Sequence, residues 1–243
     1  MKNWIVLIIL FLGSCVSQRV GETETIEITT NSGGKGNKFI LEFAKGPAHN
    51  HPSLAVWAED LEGNYIETLY VTQYVAIGRY AFGELAPGKW SNQPGEARRP
   101  ATLPYWAHKR GVKAPDGLFI PSTENPLPDA LTSATPKSNF RLNSSLSQIK
   151  SSKFRILLEI NQAWDSNKYW TNDKFAGDSN YFSSLQPSLI YAATIDPSVI
   201  EEPVFLNPIG HGHPSGATGQ LFTDLTTLTT AKEIIHSVKI LLK

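Results

Sequence analysis

The sequence predicts an all-β fold, an antiparallel sandwich, and three features carry that expectation. Phe154, Ile156, Leu158 and Ile160 alternate with Arg155, Leu157, Glu159 and Asn161, a period of two that turns successive side chains to opposite faces of a strand. Two β-rich runs, Leu54 to Glu59 and Tyr65 to Thr72, flank the turn residues Asp60-Leu61-Glu62-Gly63-Asn64, which is the pattern of a β-hairpin. Helical periodicity is scarce along the rest of the chain, and strands separated by turns bury their apolar faces best against a second sheet.

The elements follow in order. Phe39, Leu41 and Phe43 alternate with Lys38, Ile40 and Glu42, which reads as a strand with one buried face. The hairpin comes next. Residues 76–150 are rich in proline and glycine and read either as ordered loop laid across the domain surface or as disordered in part, with one short helix at Leu103 to His108 that stops at Gly111. Beyond Phe154 to Asn161, strands are expected at Ser188 to Asp196 and at Val204 to Ile209. The last covers Ile234 to Leu242, where Ile234, Val238, Ile240 and Leu242 share a face. No internal repeat is present.

Composition narrows the function. Of 243 residues, 41% are hydrophobic and 10% aromatic, enough for a sizeable core. Lysine plus arginine number 22, as do aspartate plus glutamate, so the basic excess of a nucleic-acid binder is missing. Basic residues cluster locally at Arg98, Arg99, Lys109, Arg110 and Lys113, either as a solvated loop or as a site for an anion or headgroup.

The amino terminus has the layout of a secretory signal: Lys2, the apolar stretch Trp4 to Leu12, then Leu12-Gly13-Ser14-Cys15. The apolar run is shorter than the roughly 20 residues of a membrane-spanning helix. Its ending resembles the lipobox of bacterial lipoproteins, in which the cysteine sulfur takes a diacylglyceryl group and the signal is cut before it. That resemblance implies a signal peptide over 1–14, lipid attachment at Cys15, and a protein held in the bacterial cell envelope, facing the periplasm or the cell exterior. Two or more acyl chains anchor stably where one holds only marginally. Cys15 is the only cysteine, so an intramolecular disulfide is excluded. Residues 15–37 are polar and end in Asn31-Ser32-Gly33-Gly34-Lys35-Gly36, which reads as a flexible tether to a domain over 38–243.

Three separated motifs carry a wider resemblance: the hairpin from Leu54 to Asp60 with Gly63 and Thr68-Leu69, the run Arg99-Pro100-Ala101-Thr102-Leu103-Pro104-Tyr105-Trp106, and Asp129-Ala130-Leu131-Thr132-Ser133-Ala134-Thr135-Pro136. In this order they resemble an uncharacterised secreted bacterial family, domain of unknown function 2271, over roughly Phe39 to Lys243. The resemblance implies an immunoglobulin-like β-sandwich facing the periplasm. It implies no activity.

Candidate chemistry begins with histidine. His49-Asn50-His51 precedes the hairpin and His211-Gly212-His213 follows a late strand. In extended backbone, residues two apart face the same side, so four imidazoles could close a transition-metal site if the two pairs met. Turns with histidines bonded to loop backbone are the alternative. His236 falls in the apolar phase of the last strand and reads as a core residue, His108 as a surface one. The motif Asp129 to Thr135 is similar to the site at which secreted flavoproteins receive FMN through a phosphoester to threonine, which would put the flavin on Thr135. Ser133 stands where that motif has glycine, and a plain polar loop ending at Pro136 is the alternative.

Acidic and amide residues from Asp165 to Asn180 have oxygen ligands for calcium but lack the regular calcium loop. Trp164, Tyr169, Trp170, Tyr181 and Phe182 lie among them, either as a small aromatic core anchoring a long loop or as a surface on which carbohydrate or peptide stacks. No nucleophile elbow, zinc-protease helix or phosphate loop is present, and Glu59 and Asp60 fall where a hairpin puts solvated residues. An enzyme is not expected. The expectation is a membrane-anchored lipoprotein that binds a ligand, a metal or an envelope protein partner and no nucleic acid. The alternatives are an electron-transfer protein with FMN on Thr135 and a structural envelope lipoprotein.

Overall fold

The computed structural model describes residues 24–199 and 202–243, so the expected signal segment and Cys15 lie outside the described residues. Eleven strands form the two main sheets: β1 (Thr25–Thr29), β2 (Lys38–Lys45), β3 (Ser53–Glu59), β4 (Tyr65–Thr72), β9 (Thr132–Ser133), β10 (Asn139–Ser145), β11 (Phe154–Asn161), β12 (Leu189–Ile195), β13 (Val204–Phe205), β14 (Asn207–His211) and β15 (Ile235–Leu242). Short ribbons between β4 and β9 use β5 (Arg79–Tyr80), β6 (Glu84–Ala86), β7 (Lys89–Trp90) and β8 (Gly95–Glu96). The helices are α1 (Gln73–Ala76), α2 (Pro104–Arg110) and α3 (Ser179–Phe182).

One sheet has five strands in the order β1-β10-β2-β15-β13, the other six in the order β14-β12-β11-β3-β4-β9. Phe39, Leu41 and Phe43 of β2 meet Leu54 and Val56 of β3 and Ile156, Leu158 and Ile160 of β11 in the core between them. The all-β sandwich read from the alternation is therefore present. Most pairs are antiparallel, while β1–β10 and β4–β9 are parallel.

The hairpin turn forms as its residues require. Asp60 Oδ1 accepts the Asn64 backbone N–H at 2.8 Å, and Gly63 takes φ +83, a left-handed conformation that glycine adopts without a Cβ penalty.

A second core lies on the outer face of the six-stranded sheet. Ala55, Trp57, Leu157 and Ile190 point away from the sandwich and are covered by Val75, Tyr80, Leu103, Trp106, Ile120 and Leu127. The proline-rich segment is thus laid across the domain, and it buries a core of its own. That explains why Leu54-Ala55-Val56-Trp57-Ala58 is apolar throughout: every one of these residues is fully buried, as in strands covered on both faces. The expected short helix is α2, ended by Gly111 at φ +73.

Three expectations are corrected. Residues 25–29, expected within the tether, form a strand of the five-stranded sheet. Ile28 is buried, β1 pairs with β10 over Thr25 to Thr29, and the Thr30 hydroxyl donates to Leu69 O at 2.7 Å, so only the residues before β1 remain as a candidate tether. The strand expected over Val204 to Ile209 splits at Leu206, its first half joining one sheet and its second half the other. His236 is exposed, because the register of β15 against β2 shifts between Ile235 and Ser237 and changes the phase of the strand.

Candidate functional site

Helix α2 begins without a side-chain cap of its own: its N-cap is Leu103 and Pro104 follows. The missing acceptor comes from another layer. Glu159, on the outer face of β11 and fully buried, accepts the backbone N–H groups of Tyr105 at 3.2 Å and Trp106 at 2.7 Å, together with the Ser188 hydroxyl. Burial, only partly offset by these bonds, pushes the Glu159 carboxyl up to about 7. Trp106 is held at its other end, its indole N–H donating to Thr68 Oγ1 at 2.9 Å.

Glu59, expected in solvent, is also fully buried under α2. The Trp57 indole N–H donates to its Oε1 at 2.9 Å, and Lys109 Nζ and Arg155 Nη1 approach its two oxygens at 3.8 and 3.7 Å. The covering segment, which hairpin periodicity cannot reveal, is the reason for that difference.

At one end of the six-stranded sheet a cavity of about 190 Å³ opens between the start of β3, the end of β11 and the covering segment. Its walls include His51, Ser53, Tyr74, Tyr80, Phe82, Arg99, Thr102 and Asn161. Arg99 is its distinctive member. The guanidinium lies between the Tyr80 and Trp90 rings, 4.4 and 4.6 Å from their centroids, and one Nη donates to Phe82 O at 3.0 Å. Its Nε is enclosed with no hydrogen-bond partner. Among the described residues no carboxylate pairs with it; Glu84 acts on it through space while accepting the backbone N–H groups of Gly88 and Arg98. Burial accordingly lowers the Arg99 pKa from its ordinary value.

A larger cavity of about 480 Å³ on the outer face of the five-stranded sheet contrasts with this one. There Glu42 pairs with both Arg141 at 2.7 Å and Lys239 at 2.9 Å, so its charges neutralise one another.

The four histidines are not brought together. Among the described residues no group of three or more His, Cys, Asp or Glu side chains converges on a metal-sized site. His51 has φ +53, which breaks the extended backbone that would align it with His49, and its Nδ1 meets Asn50 Oδ1 at 2.9 Å. His49 packs edge-on against Phe43. Strand β14 ends at His211, whose buried ring stacks on Phe222 and whose Nδ1 meets Gly212 O at 2.8 Å. His213 lies beyond the strand, where its Nδ1 accepts the Ser215 N–H at 3.2 Å.

The glycine between them has a packing role. A Cβ at Gly212 would stand 2.5 Å from Ser188 Oγ and 2.6 Å from Pro104 Cγ. His108, read as a surface residue, is half-buried against Phe119, with Nδ1 2.8 Å from Pro104 O.

Thr135 lies two residues after β9. Its hydroxyl is enclosed without a hydrogen-bond partner and acts on the Tyr74 phenol, which in turn donates to His51 O at 3.3 Å. His51 and Thr135, read from the sequence as parts of unrelated chemistries, therefore flank one tyrosine on the wall of one pocket. Ser133, at the glycine position of the flavin motif, pairs with Thr72 in the sheet.

Sequence reasoning missed Arg99 as an individual and Glu159 altogether. The Arg98-Arg99 pair was visible as local basicity. For Glu159 the strand offered only Leu157 as an apolar neighbour on the same face, between the polar Arg155 and Asn161, so its burial was not legible. Comparison with family models found no match, and neither the curated proteins nor the solved structures gave a significant one.

Proposed function

We propose that this protein is a lipid-anchored, extracytoplasmic binding module whose sandwich holds a small organic anion, a carboxylate or a phosphate ester, in the pocket beside Arg99. One observation carries the reading: a guanidinium that is only 9% exposed, unpaired among the described residues, on the wall of a cavity. Burying an unpaired charge costs several kcal/mol unless something compensates it. A bound anion is the natural compensation, and a planar guanidinium takes carboxylate or phosphate oxygens two at a time. Tyr80, Phe82 and Tyr74 supply apolar surface for the body of the ligand, and Ser53, Thr102 and Asn161 supply hydrogen-bonding groups. The volume of about 190 Å³ lies below the roughly 300–1,000 Å³ of drug-sized sites, which favours a small ligand or the anionic end of a larger one. Cys15 would supply the membrane attachment.

Covalent flavin on Thr135 fits these residues poorly. The Thr135 hydroxyl is enclosed, and Ser133, at the motif's glycine position, is committed to the sheet. A transition metal shared by His49, His51, His211 and His213 lacks the convergence it requires.

The test is native mass spectrometry on the protein purified from the membranes of its own host. The expected spectrum carries diacylglyceryl mass on Cys15 and a small-molecule excess that is lost in Arg99→Met. A bare chain overturns the ligand reading, leaving a structural lipoprotein. An excess equal to FMN on Thr135, or to a metal ion, replaces it with the corresponding alternative.

A further inference from the structure

We infer that the connection between β11 and β12 carries a second, separate binding site, for a neutral saccharide, with Trp164 as its stacking platform. The connection holds a cavity of about 360 Å³ walled by Trp164, Ser166, Asn167, Thr171, Asn172 and Leu185. None of these side chains is charged. A tryptophan face beside hydroxyl and amide groups, with no ionic group among them, matches the chemistry of a sugar ring: C–H groups on one face, hydroxyls around the edge.

The display of Trp164 is unusual. The residue is 48% exposed, and its backbone sits at φ +63, a region that bulky residues occupy at a steric cost. Leu185, bridged to the neighbouring Asp165, sits at φ +69. The surrounding backbone bonds hold both in place: Trp164 N–H donates to Ser183 O at 3.1 Å, Leu185 N–H to Tyr181 O at 3.1 Å, and Gln186 N–H to Asp165 O at 3.0 Å. Such strain persists only where the structure around it over-determines it, and it gathers at ligand sites. Phe182 braces the indole edge-on at 5.4 Å.

The floor beneath is rigid. Trp170 and Tyr181 are buried, and Asn167 Oδ1 accepts the backbone N–H groups of Tyr169 and Trp170 at 2.8 and 2.7 Å. The aromatic run is therefore divided, part of it core and part of it display. The Ser166 hydroxyl and the Asn172 amide are exposed, and neither side chain makes a hydrogen bond among the described residues. Both donate and accept, as sugar hydroxyls require. The Arg99 pocket meets this loop through Ala163 and Ser183 only, so the two sites share no wall residue.

The experiment is saturation-transfer NMR on the full chain in a sugar-free detergent, with cellohexaose, maltohexaose and chitotetraose as probes. At least one saccharide is expected to take up saturation at millimolar concentration. Trp164→Gly, which suits the left-handed backbone and so keeps the fold, should weaken that binding by about tenfold or more. Asn172→Ala should weaken it several-fold, while Phe205→Ala, an exposed aromatic on β13, and Arg99→Met should leave it unchanged. Transfer to none of the three probes overturns the inference, and so does binding that survives Trp164→Gly. Because the Arg99 variant reads the other pocket, failure here leaves the anion reading standing, and the reverse holds.

Discussion

The Oε2 atom of Glu159 lies 2.7 Å from the backbone nitrogen of Trp106, so a carboxylate on β11 supplies the cap that helix α2 lacks in its own sequence. This contact ties the covering segment to the six-stranded sheet. It also makes the docking of α2 sensitive to pH.

Burial raises the Glu159 pKa from an ordinary 4.5 to about 7. The folded state therefore holds this proton more tightly than the unfolded chain. The resulting stability is complete below the unfolded value and is lost as pH rises through the folded one. At about 1.4 kcal/mol per unit, the contribution is on the order of 3 kcal/mol. Urea denaturation across the window between 4.5 and 7 should show stability falling with rising pH, and Glu159→Gln should flatten that slope. An equal slope in the variant would assign the dependence to another group.

Gly212→Ala should destabilise the protein even though it leaves both neighbouring histidines in place. The new Cβ would stand 2.5 Å from Ser188 Oγ and 3.2 Å from Glu159 Oε1, crowding the cap network. A loss of about 1–3 kcal/mol is expected, as for overpacking elsewhere. Thermal unfolding at one pH measures it, and an unchanged midpoint would show that β14 moves aside freely.

Arg99→Met removes the cation–π contacts with Tyr80 and Trp90 together with a buried unpaired charge. The first change costs about 0.5–2 kcal/mol, and the second offsets it. The ligand-free variant should therefore stay within about 1 kcal/mol of the parent in chemical denaturation. A loss well beyond that would mean that the guanidinium is a structural element and the pocket incidental.

Ile28→Ala tests whether β1 belongs to the domain. Ile28 is 6% exposed within the sandwich core, so truncation should cost about 2–4 kcal/mol. A variant as stable as the parent would return residues 25–29 to the tether.

Local pattern made much of the fold legible. Tyr65 to Thr72 and Phe154 to Asn161 are strands at the bounds their periodicity gives, and Gly63 and Gly111 end elements at positive φ as expected of them. The five residues of β1 were hidden, because Thr25 to Thr29 buries little apolar surface before β10 lies beside it.

By itself, the sequence determined an all-β chain with a hairpin at its centre and a short helix in a proline-rich segment, because alternation, turn residues and helix stops are properties of neighbours. Only the tertiary structure decided which charges are buried. Glu59 and Glu159 look like solvent-facing residues until α2 covers them, and Arg99 looks like part of a basic loop until Tyr80 and Trp90 enclose it. Likewise, the spacing of His49, His51, His211 and His213 suggested a shared site that the sheet order and the left-handed turn at His51 keep apart. The physical reason is common to all of these. A side chain's solvation, and hence its charge and reactivity, is set by segments distant in sequence that no local period encodes.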